Sequence, residues 1–310
     1  MITIYKSTAD GLEIRGEYEP GCWVNVVNPG SQELEDLSRR FGIPSDFLTD
    51  PLDLDERARI EREESNTLIL LRTPKRDTRE ADVPFITLPI GIIVTTDLLI
   101  TITLMEVEVL EEFTKGKVRH FATDKRTHFV LQLFTRSTLL FLRYLKEINR
   151  TSGSIERDLH MALKNEQLIK LMNLEKSLVF FTTSLRSNAL MLEKFQNSAC
   201  MKMNPDEKDL YDDLIVEQRQ AIEMANIYSS ILSDMMDAFA SVIANNLNVV
   251  MKLLTIVTII LMIPTLIVST FGMNVPLPFQ YDQNAFLIIM GVSVLLSLLG
   301  IGIFWRRAYF

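Results

Sequence analysis

Short apolar runs broken by polar and turn residues fill the chain up to about residue 125, and helical spacing takes over from there. In the first part, Met1–Lys6 and Cys22–Val27 have the length and β-branched content of strands. Ser31–Phe41 repeats its apolar residues at helical spacing (Leu34, Leu37, Phe41), with Ser31 as the expected N-cap. The acidic segment Asp53–Glu64 reads either as a solvated helix or as an extended edge. Thr67–Thr73, Phe85–Thr95 and Leu98–Leu104 read as strands, the last two joined by a hairpin turn at Thr96-Asp97, and Glu106–Lys115 returns to helix. Strands interspersed with helices predict a sheet covered by helices.

Downstream, Phe129–Asn149 carries apolar residues three and four apart, and Ile155–Phe195 continues in the same style. Asn204-Pro205-Asp206-Glu207 starts a further helix: the amide caps, proline takes the first helical position, and acids fill the first turn. No breaker follows until Pro264. A stripe runs Leu210, Leu214, Glu217, Ala221, Met224, Tyr228, Ile231, Met235, Ala238, Val242, Asn245 and Val249. Its steps of four and three give a mean period of about 3.5, the spacing of a helical seam with partners. At about 1.5 Å per residue, a helix from Pro205 to Phe271 is about 100 Å long. A hydrocarbon core takes about 30 Å of it, so the remainder is expected to form a stalk.

Two uncharged runs close the chain: the nineteen residues Leu253–Phe271, and Asn284–Trp305. Each matches the roughly 20 helical residues that span a bilayer. The expected fold is therefore an α+β membrane protein. It comprises a cytoplasmic α/β domain covered by helices (1–125), a cytoplasmic helical segment (126–203), a stalk helix (204–248), a first transmembrane helix (249–271), an extracytoplasmic loop (272–284), a second transmembrane helix (285–305) and a basic tail (306–310).

Within the first span one face changes chemistry. Asn248, Met251, Thr255, Thr258, Met262, Thr265 and Ser269 fall at steps of three or four, and the remaining faces are aliphatic. Such a stripe turns away from lipid. Two readings stay open: helix–helix packing, or the lining of a pore. Two helices of one copy cannot enclose a pore, so the second reading requires an oligomer. Neither span carries an acid. That fits a cation passing with its water shell better than direct carboxylate coordination, since Mg²⁺ dehydrates reluctantly.

Composition narrows the rest. The chain is 47% apolar and 23% charged, with a mean hydropathy of +0.15, too polar for more than two spans. No apolar leader follows the N-terminal Met1–Lys6. Cys22 and Cys200 are far apart and match no metal or redox spacing. A net charge of −8 argues against nucleic acid as a partner. Lys252 precedes the first span and Arg306 and Arg307 follow the second, while Gly272–Gln283 has no Lys or Arg. Both termini are therefore expected in the cytoplasm, with Trp305, Tyr309 and Phe310 in an interfacial belt. His120, His128 and His160 show no ligand spacing, and the acids Glu106, Glu108, Glu111 and Glu112 read as a solvated helical face. No nucleophile–base arrangement or phosphate-binding glycine loop is visible, so no enzymatic activity is expected.

Phe271-Gly272-Met273-Asn274, just outside the first of two C-terminal spans, resembles the signature of the CorA magnesium transporter family. Asn248–Thr255, Met262 with Pro264-Thr265, and the ending Trp305-Arg306-Arg307 are similar to that family's inner pore helix, mid-pore and basic tail. The resemblance implies a homopentamer in the inner membrane whose first spans surround a pore. It implies that Gly272, Met273 and Asn274 form an outer selectivity ring for hydrated Mg²⁺. It places Asn248 at the inner mouth and Met251, Leu254 and Met262 at hydrophobic constrictions. Leu254 lies outside the polar stripe, and a gate that closes by dewetting needs such a residue.

The family also senses cytosolic Mg²⁺ between subunits. Asp213 aligns with one sensing carboxylate, its other reading being a solvated stalk residue. Asp82 and Asp97 are candidate partners. The chain departs from the family pattern at Phe271, where Tyr is common, and at Ser269, often glycine. Val275-Pro276 stands where many members carry an acid, which leaves Asp282 as the loop's one charge. The expected function is a passive, potential-driven Mg²⁺ importer gated by cytosolic Mg²⁺. The alternatives are a Zn²⁺, Co²⁺ or Ni²⁺ transporter of the same superfamily, and a non-conducting membrane-tethered sensor or assembly protein.

Overall fold

The computed structural model describes residues 1–8, 11–77, 83–161, 165–196, 203–274 and 283–306. The chain divides into two compact units, Met1–Met236 and Asp237–Phe310.

The first unit begins with β1 (Ile2–Thr8), β2 (Gly11–Arg15), β3 (Trp23–Val27), α1 (Ser31–Phe41), α2 (Ser45–Thr49) and a 3₁₀ turn, Asp50–Leu52. It continues with β4 (Arg59–Glu63), β5 (Asn66–Arg76), β6 (Phe85–Val94), β7 (Leu99–Thr103) and α3 (Glu108–Thr114). The strands form one seven-stranded sheet in the order β2-β1-β3-β7-β6-β5-β4. The β3·β7 pair is parallel, in register Val24↔Ile100 and Val26↔Ile102, and the other pairings are antiparallel.

Each face of the sheet carries its own apolar layer. Val24, Val26, Leu68, Leu70, Ile93, Ile100 and Ile102 point to one side and bury Leu37, Ile43, Phe47 and Leu48 from α1, α2 and the segment between them. The opposite side carries an aromatic cluster around Trp23, which meets Phe113 of α3, Phe121 and Phe129 edge-on. A fully buried indole needs a partner for its N–H. Trp23 Nε1 donates to Thr101 Oγ1 at 2.8 Å, and Thr101 donates onward to Asn25 Oδ1 at 2.9 Å.

Three long helices follow: α4 (Arg126–Met161), α5 (Asn165–Gln196) and α6 (Pro205–Phe271). Arg72 of β5 ties α5 to the sheet. Its guanidinium donates to Ser184 Oγ, to the Leu54 and Glu56 carbonyls, and to both oxygens of Thr87. Asn188 of α5 then pairs with both backbone groups of Arg72. Burial lowers the Arg72 pKa, partly offset by the charges of Asp55, Asp53 and Glu56.

Several expectations are corrected. Gly30, not Ser31, caps α1, and the Glu33 carboxylate accepts the Gly30 N–H at 2.9 Å. The short β2 and α2 carry too few periodic positions to stand out in the sequence. The acidic segment is extended only over β4, whose Arg59 pairs with Asp50, Glu56 and Glu61. The first long helix does not stop at Asn149 but passes through Gly153 to Met161.

Gly91 of β6 sits against the 3₁₀ turn. A Cβ there would lie 2.2 Å from Pro51 Cγ and 2.7 Å from Pro51 Cβ. Because β6 is a central strand and the Pro51 ring is rigid, Gly91→Ala is expected to destabilise the protein by about 1–3 kcal/mol, the usual cost of overpacking. A thermal or denaturant melt against the parent chain measures it.

Candidate functional site

The candidate site is carried by α6, a helix of 67 residues that takes part in both units. Its start is built as the residue types require. Glu207 N–H donates to Asn204 Oδ1 and Asn204 N–H donates to Glu207 Oε2, each at 2.9 Å, a reciprocal capping box. In the first unit the buried positions are Glu207, Tyr211, Leu214, Gln218, Ala221, Ala225 and Leu232. Tyr211 donates to the Leu192 carbonyl, Gln218 donates to the Leu185 carbonyl, and Thr138 donates to Gln218 Oε1.

This seam is rotated from the expected one. Leu214 and Ala221 belong to both. Leu210, Glu217, Met224 and Tyr228 only flank it, and Ile231 stays exposed. Part of the apolar periodicity thus serves packing inside the subunit.

In the second unit, α6 lies with α7 (Ala285–Arg306). Both are long and apolar enough to cross a membrane. The α6 side turned inward is aliphatic: Ile256 is buried, and Ile260, Ile263 and Ile267 are half-buried. On α7, Ser293 is buried, and Ile263 Cδ1 would lie 3.6 Å from a Cβ built on Gly300.

The predicted stripe points elsewhere. At 3.6 residues per turn, its mean direction lies about 140° around the helix from that isoleucine face. Asn248, Met251, Leu254, Thr255, Thr258, Met262, Thr265 and Ser269 are all exposed. Of the two readings, packing of the stripe against its own second span is therefore not what the subunit does.

The hydroxyls have a fixed polarity. Thr255, Thr258 and Thr265 each donate to the carbonyl four residues earlier (Met251, Leu254 and Leu261) at 2.8 Å. With the hydrogen spent on the helix, the oxygen lone pairs face outward, so the stripe presents acceptors. Acceptors suit the positive hydrogens of a cation's water shell. Between them, Met251, Leu254 and Met262 offer no such acceptor. Pro264 lies inside the helix and, lacking an N–H, gives the Ile260 carbonyl no helical donor.

The helix ends at the expected tripeptide. Gly272 N–H donates to the Val268 and Ser269 carbonyls, and Met273 N–H to that of Thr270. Gly272, Met273 and Asn274 are exposed at this C-terminal end, where the helix dipole places partial negative charge. Val275, Pro276 and Asp282 lie outside the described residues, as do Arg307, Tyr309, Phe310 and the side chain of Trp305.

The uncharged surface of α6 is longer than a bilayer. From Ala238 to Phe271 the single charge is Lys252. Those residues span about 51 Å at 1.5 Å each, against about 30 Å of hydrocarbon. Val242, Leu247, Val249 and Val250 ahead of Lys252 are exposed.

The remaining candidates lie on separate elements. Asp213 is exposed on α6 and Asp97 is exposed in the β6–β7 turn. Asp82, Cys200 and the His160 side chain lie outside the described residues, and Cys22 is buried and free. Three of the four acids around α3 are paired rather than merely solvated. Glu108 accepts from Tyr144 at 2.7 Å and pairs with Arg143, Glu111 pairs with Lys115, and Glu112 with Arg136. Burial, together with Glu108, pushes the Tyr144 phenol up to about 12. His128 is half-buried, and burial lowers its pKa. Among the described residues, no group of three or more His, Cys, Asp or Glu could hold a metal ion.

A family model described as "CorA-like Mg2+ transporter protein" matches residues 19–307. The chain is 26% identical over 326 aligned positions to the "Cobalt/magnesium transport protein CorA" of Methanocaldococcus jannaschii, covering 100% of both chains. It is 22% identical to the "Magnesium transport protein CorA" of Helicobacter pylori, covering 89% of this chain and 88% of that one. The fold is similar to the complete CorA magnesium transporter structure from Methanocaldococcus jannaschii, with a TM-score of 0.84, 24% identity, and coverage of 100% of this chain and 99% of that one.

Cysteines placed singly on α6 distinguish a wet stripe from a dry one. In proteoliposomes, Thr258→Cys and Thr265→Cys are expected to react with a membrane-impermeant thiol reagent above the parent background, and Ile260→Cys is not. Equal protection of all three would show that the stripe meets no water.

Proposed function

The chain belongs to the CorA-like Mg²⁺ transporter family, and we propose that it is a passive Mg²⁺ channel in which several copies of α6 stand around a shared aqueous axis. The observation that carries this reading is the stripe Thr255-Thr258-Thr265, whose acceptors face away from the packed second span. The exposed apolar helix ahead of Lys252 supports association, because lipid is not deep enough to cover it. A homopentamer, as the family resemblance implies, would turn both surfaces toward neighbours and the axis. Inner-membrane insertion with both termini cytoplasmic follows from Lys252, Arg306 and Arg307.

The mechanism assigns each region a physical role. Asn274 amides and the C-terminal carbonyls of α6 hold Mg²⁺ through its water shell at the outer ring with Gly272 and Met273, so no dehydration cost arises. Thr265, Ser269, Thr258 and Thr255 pass the hydrated ion inward. Met262, Leu254 and Met251 close the path by expelling water when the helices tighten. Asn248 provides the inner polar ring. Two charges moving through 100 mV gain about 4.6 kcal/mol, enough for about thousandfold accumulation. No ATP or proton coupling is then needed. Gating follows if cytosolic Mg²⁺ bound at Asp213 between subunits favours the tight packing.

The resulting outcomes are distinct. Purified protein in liposomes is expected to conduct Mg²⁺ down an imposed potential, and Asn274→Ala is expected to lower that flux by about tenfold or more, the weight of one lost set of charge-assisted contacts. Unchanged flux would remove Asn274 from the ring. Asp213→Asn is expected to leave maximal flux intact and to shift the internal Mg²⁺ that halves it to higher concentration. A variant that shuts at the parent's concentration would free Asp213 of any sensing role. Running Zn²⁺ and Co²⁺ beside Mg²⁺ ranks the cations.

A further inference from the structure

Away from the conducting stripe, a groove of about 820 Å³ lies in the first unit between α4 and the early turns of α6. One wall is basic. Arg143, Lys146 and Arg150 occur at steps of three and four on α4 and so share a face. Arg143 is engaged with Glu108, and Glu147 beside it with Arg76. Lys146 and Arg150 are exposed, and among the described residues neither has a hydrogen-bond or ion-pair partner. Thr151 adds a hydroxyl next to Arg150. The far end of the same wall is apolar, formed by Leu139 and Leu142, and the α6 wall contributes the single carboxylate Glu217. A chain with net charge −8 thus holds a concave surface whose uncommitted charges are two cations against one acid.

We infer that this groove binds a nucleoside polyphosphate in its metal-free form. Each part of that ligand meets matching chemistry. The guanidinium fork of Arg150 and the ammonium of Lys146 suit phosphate oxygens. The exposed Leu139, beside the buried Leu142, offers the apolar surface that a base or sugar covers. Glu217 accepts from a ribose hydroxyl or an exocyclic amine, and repels phosphate, which orients the polyphosphate toward α4. The preference for the metal-free form follows from charge. Chelated Mg²⁺ removes two negative charges from the polyphosphate and occupies oxygens that Lys146 and Arg150 would use. Uncomplexed nucleotide accumulates when cytosolic Mg²⁺ falls, so the groove would report scarcity of the transported ion by a route independent of Asp213. Because the surrounding chain is acidic, the attraction is local and weakens with salt.

The test uses the full chain in detergent and measures equilibrium binding of ATP without divalent ions, of ATP with excess Mg²⁺, and of inorganic triphosphate. Saturable binding of ATP is expected, weakened about tenfold or more by excess Mg²⁺ and by Lys146→Ala/Arg150→Ala, the scale of losing two phosphate contacts. Inorganic triphosphate is expected to bind more weakly than ATP, and the uncharged Leu139→Ser to erase that difference while leaving triphosphate binding in place. The inference is overturned by absence of saturable binding, by tighter binding of the Mg²⁺ complex, by equal binding in the double variant, or by a change in oligomer size in that variant, which would make the groove a subunit contact. Liposome flux is read separately, so failure here leaves the conduction reading standing.

Discussion

A backbone in hydrocarbon must satisfy its own polar groups, because neither lipid nor side chains from solvent can do so. That requirement governs α6. It keeps the first span helical and pulls the threonine hydrogens onto carbonyls of the preceding turn. On the threonines of the stripe, the groups left to face outward are therefore acceptors. A stripe that looks mixed in composition gains a common electrostatic sense at Thr255, Thr258 and Thr265, which offer lone pairs. Such a polarity would favour a hydrated cation over an anion if this face lines a pore. In the proposed channel the same constraint removes the need for an acid at depth. Neutral oxygens and the negative end of the helix at Gly272 would supply the electrostatic help.

The soluble unit shows the complementary solution. Many of its buried polar groups are paired by specific side chains rather than by helix alone. Trp23, Thr101 and Asn25 form a chain of donors across β3 and β7, and Arg72 spends its donors on neutral oxygens from β6, α5 and the Leu54–Glu56 segment. A guanidinium so enclosed leaves little freedom between β5 and α5.

Legibility from sequence followed the length and regularity of each signal. Long β-branched runs such as Phe85–Val94, and the Asn204-Pro205 start of α6, read correctly because local chemistry decides them. β2 (Gly11–Arg15) and α2 (Ser45–Thr49) did not, since five residues offer barely one period of any pattern. The helix read as Phe129–Asn149 runs on through Gly153 to Met161 as α4, because a single glycine costs too little to break a long packed helix. The stalk seam was the instructive error. A sequence reports which positions avoid water, not what covers them. The face of Leu214 and Ala221 is covered within the subunit, whereas Ile231 and Val242 are not. The chemistry of the membrane stripe was readable outright. Its direction was not, because that depends on Ile256, Ile260 and Ile263 packing against α7. Asp213 is exposed on α6, and any ligand set that another chain would complete around it is illegible for a related reason.

Pro264 gives the outer end of α6 a mechanical character of its own. The missing rung at Ile260 makes bending about that point cheaper than anywhere else along the span. The seven residues Thr265–Phe271 can therefore lean as a short rigid lever while the turns below keep their course. Arranged in a ring, such levers would act as an iris: small, concerted tilts would widen or narrow the aperture at Gly272–Asn274 without unwinding a turn or breaking the register of the long helix beneath.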